Sequence, residues 1–192
     1  MSRGLLLIDV DGPLNPFAAK PTRRPPGYET FRLTPNGGWH TGPAARRRGM
    51  RVWLRRDDGE LLLRVAEDTG LELVWATTWM REANTYIGRA IGLPELPVIE
   101  FPDRDLRAGH GWRADGGWKW PAVAEYAAGR PLAWLDDELR DHRAFVPART
   151  AFVQIRASMP TLLCHVDPRR GLRPAHLAEV RAWAADLTDP SA

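Results

Sequence analysis

The chain has one cysteine, Cys164, and only two lysines, Lys20 and Lys119, among 192 residues. A lone cysteine excludes an intrachain disulfide framework and any cysteine-rich zinc site, and a reducing cytoplasm is the expected setting. No apolar run approaches the length of a membrane-spanning helix, so no membrane partner is expected. The stretch after Arg3 is interrupted by Asp9 too early to read as a signal peptide. Because lysine is scarce, nearly all positive charge is arginine, and the formal net charge is +3. Such a bias can follow from genomic composition, so alone it argues little for a nucleic-acid partner. His40, His110, His142, His165 and His176 lack zinc-ligand spacing and read as structural or solvated. Cys164, in an apolar stretch, reads as an inert core thiol. No obligate protein partner is evident.

What the chain does have is a regular alternation of short apolar runs and helical patterns. The run Leu5-Leu6-Leu7-Ile8-Asp9-Val10-Asp11-Gly12, apolar until it ends in two carboxylates and a glycine, reads as a buried strand, and Leu71 to Ala76 and Pro131 to Leu135 as two more of the same kind. A short strand is expected near Leu96 to Ile99, and Ala151 to Ile155 and Thr161 to Val166 are candidates for the sheet. Helices are predicted from Asp57, where Asp57 and Glu60 have capping-box spacing, over Glu82 to Ile91, over Trp118 to Ala128 and over Pro174 to Leu187. Alternation of this kind specifies an α/β fold, a Rossmann-like three-layer αβα sandwich on a mostly parallel sheet. The length fits one domain over residues 1–187, with a loose tail at 188–192. Residues 16–56, rich in Pro, Gly and Arg, read as a β-flap insertion with strands near Tyr28 to Leu33 and Val52 to Leu54. The Arg46-Arg47-Arg48 run is read as a solvated face. Residues 102–117 form a polar, glycine-rich loop.

Three strands end in polar residues: Asp9 and Asp11 after the first, Thr77 and Thr78 after the second, Asp136 and Asp137 after the third. Parallel strands bring their carboxyl ends to one edge, where ligands bind in open α/β sheets, so these groups can share a pocket. Gly12 permits a sharp turn as the chain leaves the first strand. Four carboxylates in one cleft repel, since two unit charges at about 4 Å cost roughly 4 kcal/mol at an effective dielectric near 20. A cation is required, and an all-oxygen, carboxylate-rich site suits Mg²⁺. Lys119 opens the helix preceding the Asp136 strand and can face the same cleft, with Arg113 and Arg130 as alternatives. Trp39, Trp79, Trp112 and Trp118 are candidates to flank the cleft and stack on a substrate ring.

In these residues the chain resembles the haloacid dehalogenase (HAD) superfamily of phosphohydrolases. Asp9-Val10-Asp11-Gly12 is similar to its first motif, Thr77 to the second, Lys119 to the third and Asp136-Asp137 to the fourth. The resemblance implies a Rossmann-like sheet, Mg²⁺ dependence and an aspartyl-phosphate intermediate on Asp9. It implies Asp11 as general acid and base, with its backbone carbonyl also meeting the metal. Thr77 or Thr78, with Lys119, would hold phosphoryl oxygens, and Asp9, Asp11, Asp136 and Asp137 would hold the metal. An aspartate two positions after the nucleophile is typical of members that act as phosphatases or phosphotransferases. More narrowly, Leu7 to Pro16 and Val74 to Trp79 look similar to a branch related to polynucleotide-repair phosphatase domains.

The expected activity is hydrolysis of a phosphomonoester, on a phosphorylated small molecule or a nucleic-acid end, with a minimal cap leaving the cleft open. Two other readings stand beside it. One is a nucleic-acid-binding module built on Arg46 to Arg56 with Trp39 and Trp53 as stacking groups. The other is a catalytically silent phosphate-binding module on the same fold.

Overall fold

The computed structural model describes residues 3–40, 48–101, 117–139 and 146–187. Its centre is a four-stranded parallel sheet in the order β4-β1-β5-β6, formed by β1 (Leu5–Ile8), β4 (Glu72–Trp75), β5 (Leu132–Asp136) and β6 (Thr161–His165). Ile8 lies opposite Trp75 on one side and Leu135 on the other, so three strands end at the same level. A separate antiparallel pair, β2 (Glu29–Leu33) and β3 (Met50–Leu54), forms the flap predicted from the turn residues around it.

The sheet is buried on both faces because its strands are apolar at every position, and alternation sorts them. Leu6, Ile8, Leu73, Trp75, Ala133 and Leu135 point to one face, where α1 (Asp57–Thr69) and α5 (Pro174–Asp186) supply Leu62, Val65, Leu177 and Val180. Leu5, Leu7, Val74, Leu132 and Trp134 point to the other, against α3 (Lys119–Tyr126) and α4 (Val146–Ile155). There Trp120, Trp134 and Phe152 form a triangle with ring centroids 5.0, 5.0 and 6.0 Å apart. Each such pair adds roughly 0.5 to 1.5 kcal/mol beyond the area it buries. The result is the three-layer arrangement expected of strand-helix alternation.

Several local expectations are corrected. Ala151 to Ile155 is not a strand but the end of α4, with Phe152 buried while Val153 and Ile155 are exposed. Ala148 and Phe152 meet the core at i, i+4 spacing, which a helix satisfies and a strand does not. The stretch Leu96 to Ile99 makes a single bridge, Val98 to Trp75. Pro94 and Pro97 remove the backbone donors that a longer ladder needs. The helix expected over Glu82 to Ile91 is a π-helical segment, Ala83–Gly88, continued by the short α2 (Arg89–Ile91).

Asp57 does not cap α1, because it is already helical and Arg56 precedes it without a side-chain cap. The ordering acid is its neighbour Asp58, fully buried, which accepts from Arg55 Nε at 2.8 Å. Arg55 also donates to the Leu172 carbonyl at 3.0 Å, tying the start of α1 to the approach of α5. Glu60 pairs instead with Arg64. The tail 188–192, residues 41–47 and most of the 102–117 loop lie outside the described residues, as do His110, Trp112, Arg113 and His142.

Helix α1 approaches α2 through a residue without a side chain. A Cβ on Gly59 would land well inside contact distance of the Ile91 carbonyl oxygen. Overpacking against backbone cannot be relieved by a rotamer change, so Gly59→Ala is expected to cost about 3 kcal/mol in urea unfolding. A loss within experimental error would show that the two helices separate freely.

Candidate active site

The site is assembled at the carboxyl edge of the sheet. Asp9 follows β1 directly, and its amide donates to the Leu135 carbonyl at 3.1 Å, which places it beside Asp136 at the end of β5. Lys119, the first residue of α3, is buried and reaches both: its Nζ is 2.7 Å from Asp9 Oδ2, 2.7 Å from Asp136 Oδ2 and 3.1 Å from Glu138 Oε2. Burial disfavours the ammonium, but Asp136, Asp9 and Glu138 outweigh it and hold the Lys119 pKa well above its ordinary value. Lys119 is therefore a fixed positive charge.

Asp137 opens the 3₁₀ turn Asp137–Leu139 and faces the same space. Carboxylate oxygens of Asp9, Asp136 and Asp137 lie within 4.8 Å of one another, a set that could hold a metal ion. Gly12 makes this convergence possible: at φ +95° it takes a conformation that L side chains avoid, and a Cβ there would stand 2.6 Å from Asp137 Cβ. The turn is further fixed by the Asn15 and Leu14 amides, which donate to the Val10 carbonyl at 2.8 and 3.0 Å.

Asp11 stands outside the carboxylate cluster, held by two donors. Asn15 Nδ2 donates to one oxygen at 2.7 Å and the Trp79 indole to the other at 2.9 Å. Burial and the Asp9 charge raise its pKa, against the lowering effect of those two hydrogen bonds and Lys119. Trp79 is thus a positioning donor rather than a stacking ring. Immediately after it Met80 adopts φ +48°, an uncommon conformation for a residue with a side chain, and the chain turns there. Asn15 Oδ1 accepts from the Trp53 amide at 3.0 Å, so the flap strand β3 is wired to Asp11 through one side chain.

Thr77 follows β4 beside β1, where the Ala76 amide donates to the Ile8 carbonyl at 3.0 Å. Thr77, the residue matched to the second motif, is buried and Thr78 is exposed. Arg130 is not a substitute for Lys119, since it pairs with Glu72 and the Arg3 carbonyl near the opposite edge of the sheet. Trp39 packs against Phe31 and Tyr86, and Trp118 lies edge-on to Phe101. Trp53 is buried, donates to Thr30 and is covered by Arg51, so it offers no face for stacking. Glu138, Asn15 and the donor role of Trp79 escaped sequence reasoning. The available signals were Glu138's place directly after Asp136-Asp137, and Asn15's position in the turn that begins at Asp11.

Burial and Asp9 push the Asp137 carboxyl up to about 7, with Glu138 adding to the effect and Lys119 opposing it. The folded chain then holds a proton that an unfolded carboxyl releases near 3.8. Between those values the native state binds more protons, so stability falls as pH rises through the window. In excess chelator, Asp137→Asn is expected to melt above the wild type at about pH 8, with the gap closing towards about pH 4. A gap that stays constant across that range in thermal melts would contradict the assignment.

The family model described as HAD domain in Swiss Army Knife RNA repair proteins matches residues 5–177. A search of curated proteins returns no match. Among solved structures, the chain is similar to a protein described as a HAD superfamily (subfamily III A) hydrolase from Legionella pneumophila, at 11% identity, with 96% of this chain and 82% of that chain covered. The TM-score of 0.39 is too low for that likeness to carry an argument. With the family model covering residues 5–177, and so every strand and every residue of the candidate site, the chain belongs to the HAD superfamily as a HAD-like hydrolase.

Proposed function

We propose that the chain is a Mg²⁺-dependent phosphatase that hydrolyses a phosphomonoester through an aspartyl phosphate on Asp9. The observation that carries this reading is the buried Lys119 joined to Asp9 and Asp136, with Asp137 completing the carboxylate set. The donor set fits a hard divalent cation, being all oxygen and carrying more negative charge than Lys119 neutralises. Asp9, Asp136 and Asp137 would hold it, with Gly12 letting the turn after β1 approach Asp137, and Asp11 would contribute its backbone carbonyl. Bound there, Mg²⁺ would neutralise charge on the phosphoryl oxygens.

The chain's own residues divide the remaining work. Asp9 attacks phosphorus and the bond to the leaving oxygen breaks, while Asp11 delivers its proton to that oxygen. Water then attacks the acyl phosphate, Asp11 recovers a proton from it, and Asp9 and inorganic phosphate are released. A carboxyl whose pKa is raised by burial and by Asp9 suits a group that must donate first and accept second. Asn15 and Trp79 keep it aimed between the flap and the strand end. Thr77, favoured over the exposed Thr78, and Lys119 hold phosphoryl oxygens, with Lys119 supplying a charge that costs no reorganisation as the transition state forms. The substrate class is a phosphorylated nucleic-acid end, a reading supported by the family description of RNA repair proteins.

Asp9→Asn is expected to abolish phosphate release from an end-phosphorylated oligonucleotide while leaving the melting curve cooperative. Retained turnover above a few per cent would move the nucleophile elsewhere. Chelation is expected to remove activity and Mg²⁺ to restore it; full turnover in excess chelator would exclude the metal. Asp11→Asn is expected to slow release from a poor leaving group by about 10² to 10⁴ and to spare an activated aryl phosphate much more. Equal losses on both substrates would remove Asp11 from proton transfer.

A further inference from the structure

A cavity of ≈ 1130 Å³ lies beside the carboxylate site, between the loop carrying Lys20, Arg23 and Arg24 and the loop carrying Arg169, Arg170 and Arg173. Arg55 also lines it, and no aspartate or glutamate does. Within the described residues, no ion-pair partner is present for Lys20, Arg23, Arg169 or Arg173. Of the seven cations around this concave space Arg55 is paired with Asp58 and Arg170 with Asp167, and the others repel one another, an arrangement that an anionic ligand relieves. The N-terminus of α5, at Pro174, opens on the same space and adds its partial positive charge.

A second cavity, of ≈ 440 Å³, adjoins the first, sharing Ala18 and Arg169 with it, and is lined by Asp137 and Glu138 of the carboxylate edge and by Asp167. Its wall also carries Phe17, an apolar ring 48% exposed to solvent. The two loops are held together where they meet: the Ala18 amide donates to the Pro168 carbonyl at 3.0 Å and the Leu172 amide to the Pro13 carbonyl at 2.7 Å. The two adjoining cavities lead from Asp137 and Glu138, past the exposed Phe17 and the acid Asp167, to the basic trough.

We infer that this trough is a binding site for the phosphodiester backbone of single-stranded nucleic acid, with Phe17 stacking on the nucleoside nearest the catalytic edge. The inference deepens the phosphatase reading and rests on it for the direction of the strand, whose phosphorylated end would lie at Asp9. A single strand matches the combination present, since its backbone is a regular series of negative charges and its unpaired bases offer faces to an exposed ring. An acidic peptide would use the charges but not Phe17.

The test is fluorescence anisotropy of a labelled strand of about twelve nucleotides that carries no terminal phosphate, as RNA and as DNA, on the wild-type protein. Such a strand is not a substrate, so failure of the phosphatase reading leaves its binding untouched. Absence of binding in a protein that turns over small phosphates overturns the trough alone. The Arg23→Glu/Arg173→Glu variant is expected to weaken binding at least about tenfold, and Arg23→Ala/Arg173→Ala to lower the salt slope by about 1.4, two phosphate contacts' worth. Arg64→Glu/Arg181→Glu makes the same change in net charge on arginines that pair with Glu60 and Asp68 away from the trough. It is expected to leave affinity nearly unchanged, and an equal loss there would reduce the effect to overall charge and overturn the site. Phe17→Ala, at an exposed position, is expected to cost about tenfold on the same strand and little on an abasic one. Polyglutamate of matched charge binding as tightly as the strand would assign the trough to acidic protein segments and overturn the proposal.

Discussion

The ammonium of Lys119 is the one group on which the rest of the site depends. It is buried with Asp9 and Asp136 at equal distances of 2.7 Å and with Glu138 at 3.1 Å. A buried charge stripped of its partners costs several kcal/mol, so these groups can be underground only together. The bridge therefore works in two directions: it fastens the first turn of α3 to the ends of β1 and β5, and it lets two carboxylates lie side by side. Lysine's long stem matters, because the charge arises on a helix and must be delivered to a strand edge. In a chain otherwise charged with arginine, a compact ammonium takes the position where a planar fork would have to satisfy three separate acids at once.

Asp11 is held by different means. Its two oxygens accept from Asn15 and Trp79, and Asn15 in turn accepts from the amide of Trp53. Both supports are neutral, so Asp11 receives orientation without a strong pull towards ionisation, whereas Asp9 lies directly against an ammonium. Two aspartates two residues apart thus live in separate electrostatic surroundings, which is the condition for giving them separate roles. The flap takes part in this arrangement. Through Asn15, displacement of β3 would be felt at Asp11, linking the flap to the carboxyl proposed to handle protons.

Most of the sheet was legible because its strands are continuous apolar runs that stop at acids or threonines, and burial on both faces leaves no register to guess. The flap hairpin was readable from its turn residues. Ala151 to Ile155 misled because five apolar residues carry no period, and only the placement of Ala148 and Phe152 against the aromatic triangle settles the matter. The capping role assigned to Asp57 failed because a neighbouring acid, Asp58, had a stronger tertiary partner in Arg55 and the Leu172 carbonyl. At the site, residues contributed by strand ends were visible in the sequence. Asn15, Trp79 and Glu138 were not, because their importance lies in what they touch across the fold.

The charge balance of the site explains why its surroundings are basic. Asp9, Asp136, Asp137 and Glu138 face a single ammonium, and burial together with their mutual repulsion already drives the Asp136 carboxyl well above its ordinary range and Asp137 up to about 7. An edge with that surplus repels a phosphate monoester, the charge type that the proposed phosphatase activity would have to admit. A bound cation removes the surplus locally, but its effect is short-ranged in salt. Of the seven cations of the proposed trough only Arg169 also lines the cavity that holds Asp137 and Glu138, so the trough could draw in a polyanion with little direct pairing to those acids. Arginines placed against Asp9 or Asp137 would instead neutralise them, as Lys119 already does for Asp9 and Asp136.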